Sequence, residues 1–97
     1  MSVSDKDRLR AHILELTREY AELHYAVQPF FPGQQWLHAA GKVLGATELE
    51  YLVDASLDGW LTAGRYNEWF EEALGKFIGV SHVSTVNSGS SANLVAF

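Results

Sequence analysis

Apolar residues recur near the start of the chain with the spacing of one helical face. The set is Leu9, Ile13, Leu16, Tyr20 and Leu23. Charged residues fill the intervening positions, so the pattern predicts an amphipathic helix over about residues 4–25. Ser4 and Asp7 have the spacing of a capping box, and Pro29 ends the pattern. A coiled coil or subunit contact would use the same stripe, but two heptads are few, which favours an ordinary docked helix.

The stretch 26–45 has neither a helical nor a strand period. Pro29 and Pro32 interrupt any regular backbone ladder, so the sequence predicts an arm or loop. Phe30, Phe31 and Trp36 are large apolar residues for such a segment. They are expected to pack either on a second subunit or back on the same domain, and the sequence does not choose between these alternatives.

A second helix is predicted to begin at a capping box of Thr47 and Glu50 and to end near Gly59. Its expected apolar face consists of Leu49, Leu52, Val53, Leu57 and Trp60. A third helix is predicted over residues 66–78, with Gly79 as its stop signal. Its expected apolar face consists of Phe70, Leu74, Phe77 and Ile78.

The adjacent carboxylates Glu71 and Glu72 are candidates for a catalytic pair. Neighbouring residues on a helix point in different directions, so the sequence favours a solvated helical face over a catalytic site.

The last part of the chain predicts a strand, a turn and the start of a helix. Residues 80–86 are rich in β-branched side chains and predict a short strand. Residues 87–93 are small and polar, and the apolar residues 94–97 resemble the opening of a helix. Natural domains seldom end in the first turns of an apolar helix, so we expect a truncation here.

Composition and charge exclude several classes of function. The chain has 97 residues, a net charge of −5 and scattered basic residues, which argues against nucleic-acid binding. It has no signal peptide pattern and no apolar run near the roughly 20 residues of a membrane span, so a cytoplasmic location is expected. With no cysteine and four widely spaced histidines, it predicts neither a thiol catalyst nor a metal site.

The predicted turn has the chemistry of an anion site. Free amides of a first helical turn and the helix dipole favour a phosphate group. Gly89 permits close approach of the backbone, and Ser90 and Ser91 offer hydroxyl donors. The spacing fits neither a dinucleotide-binding fingerprint nor a P-loop, and the same residues also serve simply to turn a chain and cap a helix.

Three stretches together resemble the DegT/StrS-type sugar aminotransferase family. They are residues 58–67, residues 70–80 and residues 87–94, in that order and spacing. The first helix and the arm resemble the RfbH-like lipopolysaccharide biosynthesis branch, which contains the CDP-4-keto-6-deoxyglucose 3-dehydrases. Nearly the whole chain is covered by this resemblance.

The resemblance implies an α/β fold, the N-terminal part of a fold type I PLP-dependent transferase. Residues 1–45 would form an N-terminal helix and arm, and residues 46–97 would begin the large cofactor-binding domain, with its first strand and phosphate-binding turn. The implied cofactor is pyridoxal or pyridoxamine 5′-phosphate, contacted by Gly89, Ser90 and Ser91. A homodimer and a sugar-nucleotide substrate are also implied.

The branch resemblance further implies removal of the C3 hydroxyl from a CDP-4-keto-6-deoxyhexose. The cofactor-anchoring lysine or histidine and the cysteines of a two-iron cluster would lie outside these residues, as would contacts to a reductase partner. No catalytic residue is assigned, and His82 is interpreted as structural. The alternatives are a sugar-nucleotide aminotransferase and a non-catalytic interaction module.

Overall fold

The computed structural model describes residues 3–97, which form four helices and no β-strand. The helices are α1 (Asp5–His24), α2 (Ala46–Leu57), α3 (Arg65–Ile78) and α4 (Gly89–Ala96). The chain divides into two compact units, one extending to Gly59 and the other beginning at Trp60. No helix within residues 3–97 combines the length and the apolar character needed to cross a membrane. The division predicted at residues 45 and 46 stays a prediction.

The first unit pairs α1 with α2. The predicted cap of α1 is confirmed, because the Ser4 hydroxyl accepts the Asp7 amide at 3.1 Å. The predicted cap of α2 is wrong: the helix begins at Ala46, and the Glu48 carboxylate accepts the Gly45 amide at 2.8 Å. Thr47 therefore lies inside the first turn, where it cannot serve as the N-cap.

The face of α1 that is withdrawn from solvent is not the predicted apolar stripe. It consists of Arg10, Leu14, Thr17 and Ala21, which are buried or partly buried and follow helical spacing. Ala21 is fully buried, whereas Leu16 is 50% exposed and Leu23 is 81% exposed. The predicted stripe is therefore only partly covered, at Ile13 beside α2, because α2 packs mainly on the neighbouring face.

An ion-pair cluster ties α1 to α2. The Arg10 guanidinium donates to the Asp54 carboxylate at 2.7 Å and to the Asp58 carboxylate at 2.6 Å. It also donates to the Asp54 backbone carbonyl at 2.6 Å. Hydrogen bonds to Asp54 and then Asp58 hold the pKa of Arg10 above its ordinary value. Farther along α1, Arg18 pairs with Glu50.

Replacing Arg10 by methionine is expected to loosen the contact between α1 and α2. Methionine retains the apolar stem but removes the hydrogen bonds that Arg10 donates to Asp54 and Asp58. Amide hydrogen exchange in α2 of the natural-length protein should accelerate roughly tenfold. The matched control is Arg8→Met, since within residues 3–97 the ion pair of Arg8 is with the exposed Asp5, one turn away on the same helix. Equal exchange rates in both variants would show that the cluster does not hold the helices together.

The segment 26–45 contains no helix or strand, as predicted. Local hydrogen bonds shape it: the Phe31 amide donates to the Gln35 side-chain oxygen at 3.2 Å, and the Gln34 amide donates to the Phe31 carbonyl at 3.1 Å. Trp36 is 91% exposed, and Phe30 and Phe31 are each about half exposed. The sequence left open whether these side chains pack on a second subunit or back on the same domain. Trp36 does not pack back on the same domain.

The second unit contains α3, the segment after it, and α4. The stop signal of α3 is confirmed, because Gly79 adopts a left-handed φ of 75° and donates to the Gly75 carbonyl at 2.9 Å. The strand predicted over residues 80–86 is wrong for the described chain. A strand requires a neighbouring strand. Here the Val80 amide instead donates to the Gly75 carbonyl and the Thr85 amide to Glu71.

Candidate functional site

Helix α4 begins at the turn that the sequence singles out. Ser88 is its N-cap, and the Ser88 hydroxyl accepts the Ser91 amide at 3.1 Å. The Ser88 carbonyl accepts the Ala92 amide at 3.0 Å. The amides of Gly89 and Ser90 lie in the first turn of α4, where the helix provides no carbonyl four residues earlier to accept them. These two amides are therefore suited to donate to an anion.

The three predicted cofactor contacts lie together in the first turn of α4. Gly89 and Ser90 are exposed, and a Cβ atom added at Gly89 would have no heavy atom within 4 Å beyond its chain neighbours and the adjoining helix backbone. The space in front of Gly89 is therefore open. The Ser91 hydroxyl donates to the Asn87 side-chain oxygen at 2.5 Å. Ser91 can thus offer its hydroxyl to a ligand only by giving up Asn87.

A network of hydrogen bonds links α3 to the segment that leads into this turn. The Glu71 carboxylate accepts the Thr85 amide at 3.0 Å, the Thr85 hydroxyl at 2.9 Å and the Asn67 side-chain amide at 3.1 Å. The Asn67 side-chain oxygen lies nearer to the Thr85 hydroxyl, at 2.7 Å, so Glu71 and Asn67 share its single proton. Thr85 is therefore held by the side chains of two α3 residues one turn apart.

The solvated face predicted for Glu71 and Glu72 is thus correct for only one of them. Glu72 is exposed and accepts a 2.6 Å hydrogen bond from Lys76. Glu71 is partly buried, and one of its carboxylate oxygens accepts hydrogen bonds from Thr85 and Asn67. The available sequence signal was the i, i+4 spacing of Asn67 and Glu71, which places both side chains on one face of α3.

Both glutamates have lowered pKa values, for different reasons. Hydrogen bonds from the Thr85 amide and then the Thr85 hydroxyl lower the pKa of Glu71, whereas the Lys76 ammonium lowers the pKa of Glu72. A lowered folded pKa means that the ionised carboxylate stabilises the fold above the unfolded pKa of about 4.3. That contribution is lost as the pH falls through the lower folded pKa.

The segment after α3 approaches that helix closely at Gly75, which is buried. A Cβ atom there would lie 3.1 Å from the Val80 carbonyl oxygen and 3.4 Å from a Val83 methyl carbon. The Val80 amide also donates to the Gly75 carbonyl at 3.0 Å. Gly75 and Glu71 therefore fix both ends of residues 80–85 against α3.

An aromatic cluster marks the start of α3. The Arg65 guanidinium lies 4.5 Å from the Tyr66 ring centroid and 5.2 Å from the Trp69 ring centroid, and the two rings meet edge to face. His82 is exposed and lies in neither a helix nor a strand, and its interpretation as a structural residue stays a prediction.

Comparison with known proteins agrees with the resemblance seen in the sequence. Residues 42–97 match the profile of the DegT/DnrJ/EryC1/StrS aminotransferase family. The lipopolysaccharide biosynthesis protein RfbH of Salmonella typhimurium is 52% identical over 90 residues, which cover 93% of this chain and 21% of that protein. The dTDP-4-dehydro-2,6-dideoxy-D-glucose 3-dehydratase of Saccharopolyspora spinosa is 34% identical over 91 residues, which cover 94% of this chain and 19% of that protein. The chain spans about a fifth of the length of these relatives.

Proposed function

Because this chain belongs to the DegT/DnrJ/EryC1/StrS aminotransferase family, we propose that it is the N-terminal part of a sugar-nucleotide 3-dehydratase. The reaction would be C3 deoxygenation of a CDP-4-keto-6-deoxyhexose in the synthesis of a 3,6-dideoxysugar. One observation carries the proposal: nearly the whole chain aligns with two relatives, of which one is named a sugar-nucleotide 3-dehydratase and the other, at 52% identity, a lipopolysaccharide biosynthesis protein.

The family depends on pyridoxal or pyridoxamine 5′-phosphate, and the first turn of α4 fits the phosphate of this cofactor. It presents the amides of Gly89 and Ser90 at the positive end of a helix dipole, with open space in front of Gly89. The Ser90 hydroxyl is exposed and can add a donor. Ser91 contributes its hydroxyl only if it exchanges Asn87 for the phosphate. When bound, the cofactor supplies an electron sink for the reaction at the sugar.

The residues of this chain would hold the cofactor rather than carry out proton transfer. The described part of the turn contains hydroxyls, amides and no titratable side chain, which suits binding and orientation of a phosphate. The cofactor-anchoring residue would lie in another part of the protein. A fold type I architecture and a homodimer belong to the same proposal. The two-iron cluster gains no support from the relatives or from any residue of this chain and is not proposed.

The test uses the natural-length protein, purified and supplied with pyridoxamine 5′-phosphate, a reducing system and a CDP-4-keto-6-deoxyhexose. We expect the reduced product to be about 16 mass units lighter than the substrate, because C–OH at C3 has been replaced by C–H. Nuclear magnetic resonance should then show a methylene group at C3.

The second candidate is a sugar-nucleotide aminotransferase, which the family description favours. It predicts an amino group on the sugar when an amino donor such as glutamate is supplied, and no loss of the C3 hydroxyl. A protein that binds neither the cofactor nor the sugar nucleotide would leave the third candidate, a non-catalytic interaction module.

A further inference from the structure

Thr85 is held against α3 by several hydrogen bonds, which an ordinary solvent-exposed helix face would not form. One carboxylate oxygen of Glu71 accepts the Thr85 amide and the Asn67 side-chain amide, and it lies 2.9 Å from the Thr85 hydroxyl. The single proton of that hydroxyl is shared between Glu71 and the Asn67 side-chain oxygen. The carboxylate therefore fixes both the backbone and the side chain of Thr85 in one position. A charged acceptor makes such bonds stronger than neutral pairs.

Thr85 stands immediately before the turn. Asn87, which accepts the Ser91 hydroxyl at 2.5 Å, lies two residues farther along the chain. Two residues span at most about 7 Å, so a displacement of Thr85 is passed to Asn87 with little slack. A continuous path thus runs from Glu71 on α3 through Thr85 and Asn87 to the first turn of α4.

We propose that Glu71 is a positioning residue, which holds Thr85 and thereby sets where the amides of Gly89 and Ser90 meet the cofactor phosphate. The inference rests on the proposed function. Precise placement matters because a phosphate bound by fixed amides loses much of its affinity when those donors are misplaced by a fraction of an ångström.

The test compares Glu71→Met with Glu72→Met in the natural-length protein. Both variants remove one negative charge from adjacent positions, but only Glu71 accepts bonds from Thr85. The dissociation constants of pyridoxamine 5′-phosphate and of pyridoxamine, which lacks the phosphate, are measured by calorimetry. Glu71→Met should weaken pyridoxamine 5′-phosphate binding roughly tenfold and leave pyridoxamine binding unchanged. Glu72→Met should change neither value.

Two further variants separate positioning from general stability. Glu71→Gln keeps an oxygen that can accept the Thr85 amide, so it should recover most of the lost affinity. Thr85→Val removes the hydroxyl but keeps the amide, and it should give an intermediate, phosphate-specific loss. This variant tests the proposal even if Glu71→Met fails to fold.

Several outcomes would overturn the inference. A variant that weakens binding of both ligands equally would show that Glu71 only stabilises the protein. Identical behaviour of Glu71→Met and Glu72→Met would show that the contact to Thr85 is irrelevant to binding. If the unmodified protein binds the two ligands equally well, the proposed phosphate site itself has failed, which is a different result.

Discussion

Replacing Gly89 by valine is expected to lower the affinity for pyridoxamine 5′-phosphate more than about 100-fold while the fold stays intact. The fold should stay intact because a Cβ atom at this position has no heavy atom within 4 Å beyond its chain neighbours and the adjoining helix backbone. Gly89 does not have a positive φ, so a side chain causes no backbone strain. The added methyl groups would instead fill the space in which the phosphate must approach the amides.

The size of the effect should follow the size of the side chain. Gly89→Ala adds one methyl group and should cost roughly tenfold in affinity, less than valine. Gly41→Val is the matched control, because a Cβ atom at Gly41 also meets no atom within 4 Å and Gly41 also lacks a positive φ. Pyridoxamine binding should be insensitive to all three changes. Full affinity for the phosphorylated ligand in Gly89→Val would place the phosphate elsewhere.

Local signals in the sequence predicted where the helices begin and end. Ser4 with Asp7 and the left-handed Gly79 satisfy backbone groups that any helix leaves open, so their effect does not depend on distant residues. The turn at Ser88 was recognisable for the same reason. The cap predicted for α2 at Thr47 and Glu50 was wrong because Gly45 and Glu48 form an equivalent cap two residues earlier.

The partners of each helical face could not be predicted in this way. Hydrophobic periodicity identifies an apolar face but not the surface that it meets. On α1 the inner face carries Arg10 and Thr17, and on α3 it carries Asn67 and Glu71. Both faces are held by polar contacts across 14 or more residues of sequence, and no short window reveals such contacts. The outcome for Glu71 depended on Thr85, which the sequence had placed in a strand.

The apolar stripes left on the outside lead to the second large expected effect. The only buried residues among those described are Ala21 and Gly75, while Phe77 is 88% exposed and Leu23 is 81% exposed. Complete burial of such side chains stabilises a fold by about 1.5–3 kcal/mol each. Ordering the backbone costs about 1–2 kcal/mol of conformational entropy per residue. The small amount of apolar burial seen here cannot offset that cost. The isolated 97-residue polypeptide should therefore lack a cooperative thermal transition and should bind a hydrophobic dye.

A double substitution on the α1 stripe should improve the behaviour of the isolated polypeptide but destabilise the natural-length protein. Leu16→Lys together with Leu23→Lys places charges on the exposed stripe of α1. In the isolated polypeptide this change should reduce dye binding and self-association, because the stripe is open to water. The proposed function implies a longer protein, in which we expect further chain to cover the stripe. There the double substitution should lower the melting temperature by several degrees. A monomeric isolated chain with a sharp transition, or no effect in the longer protein, would mean that the stripe is a true solvent face.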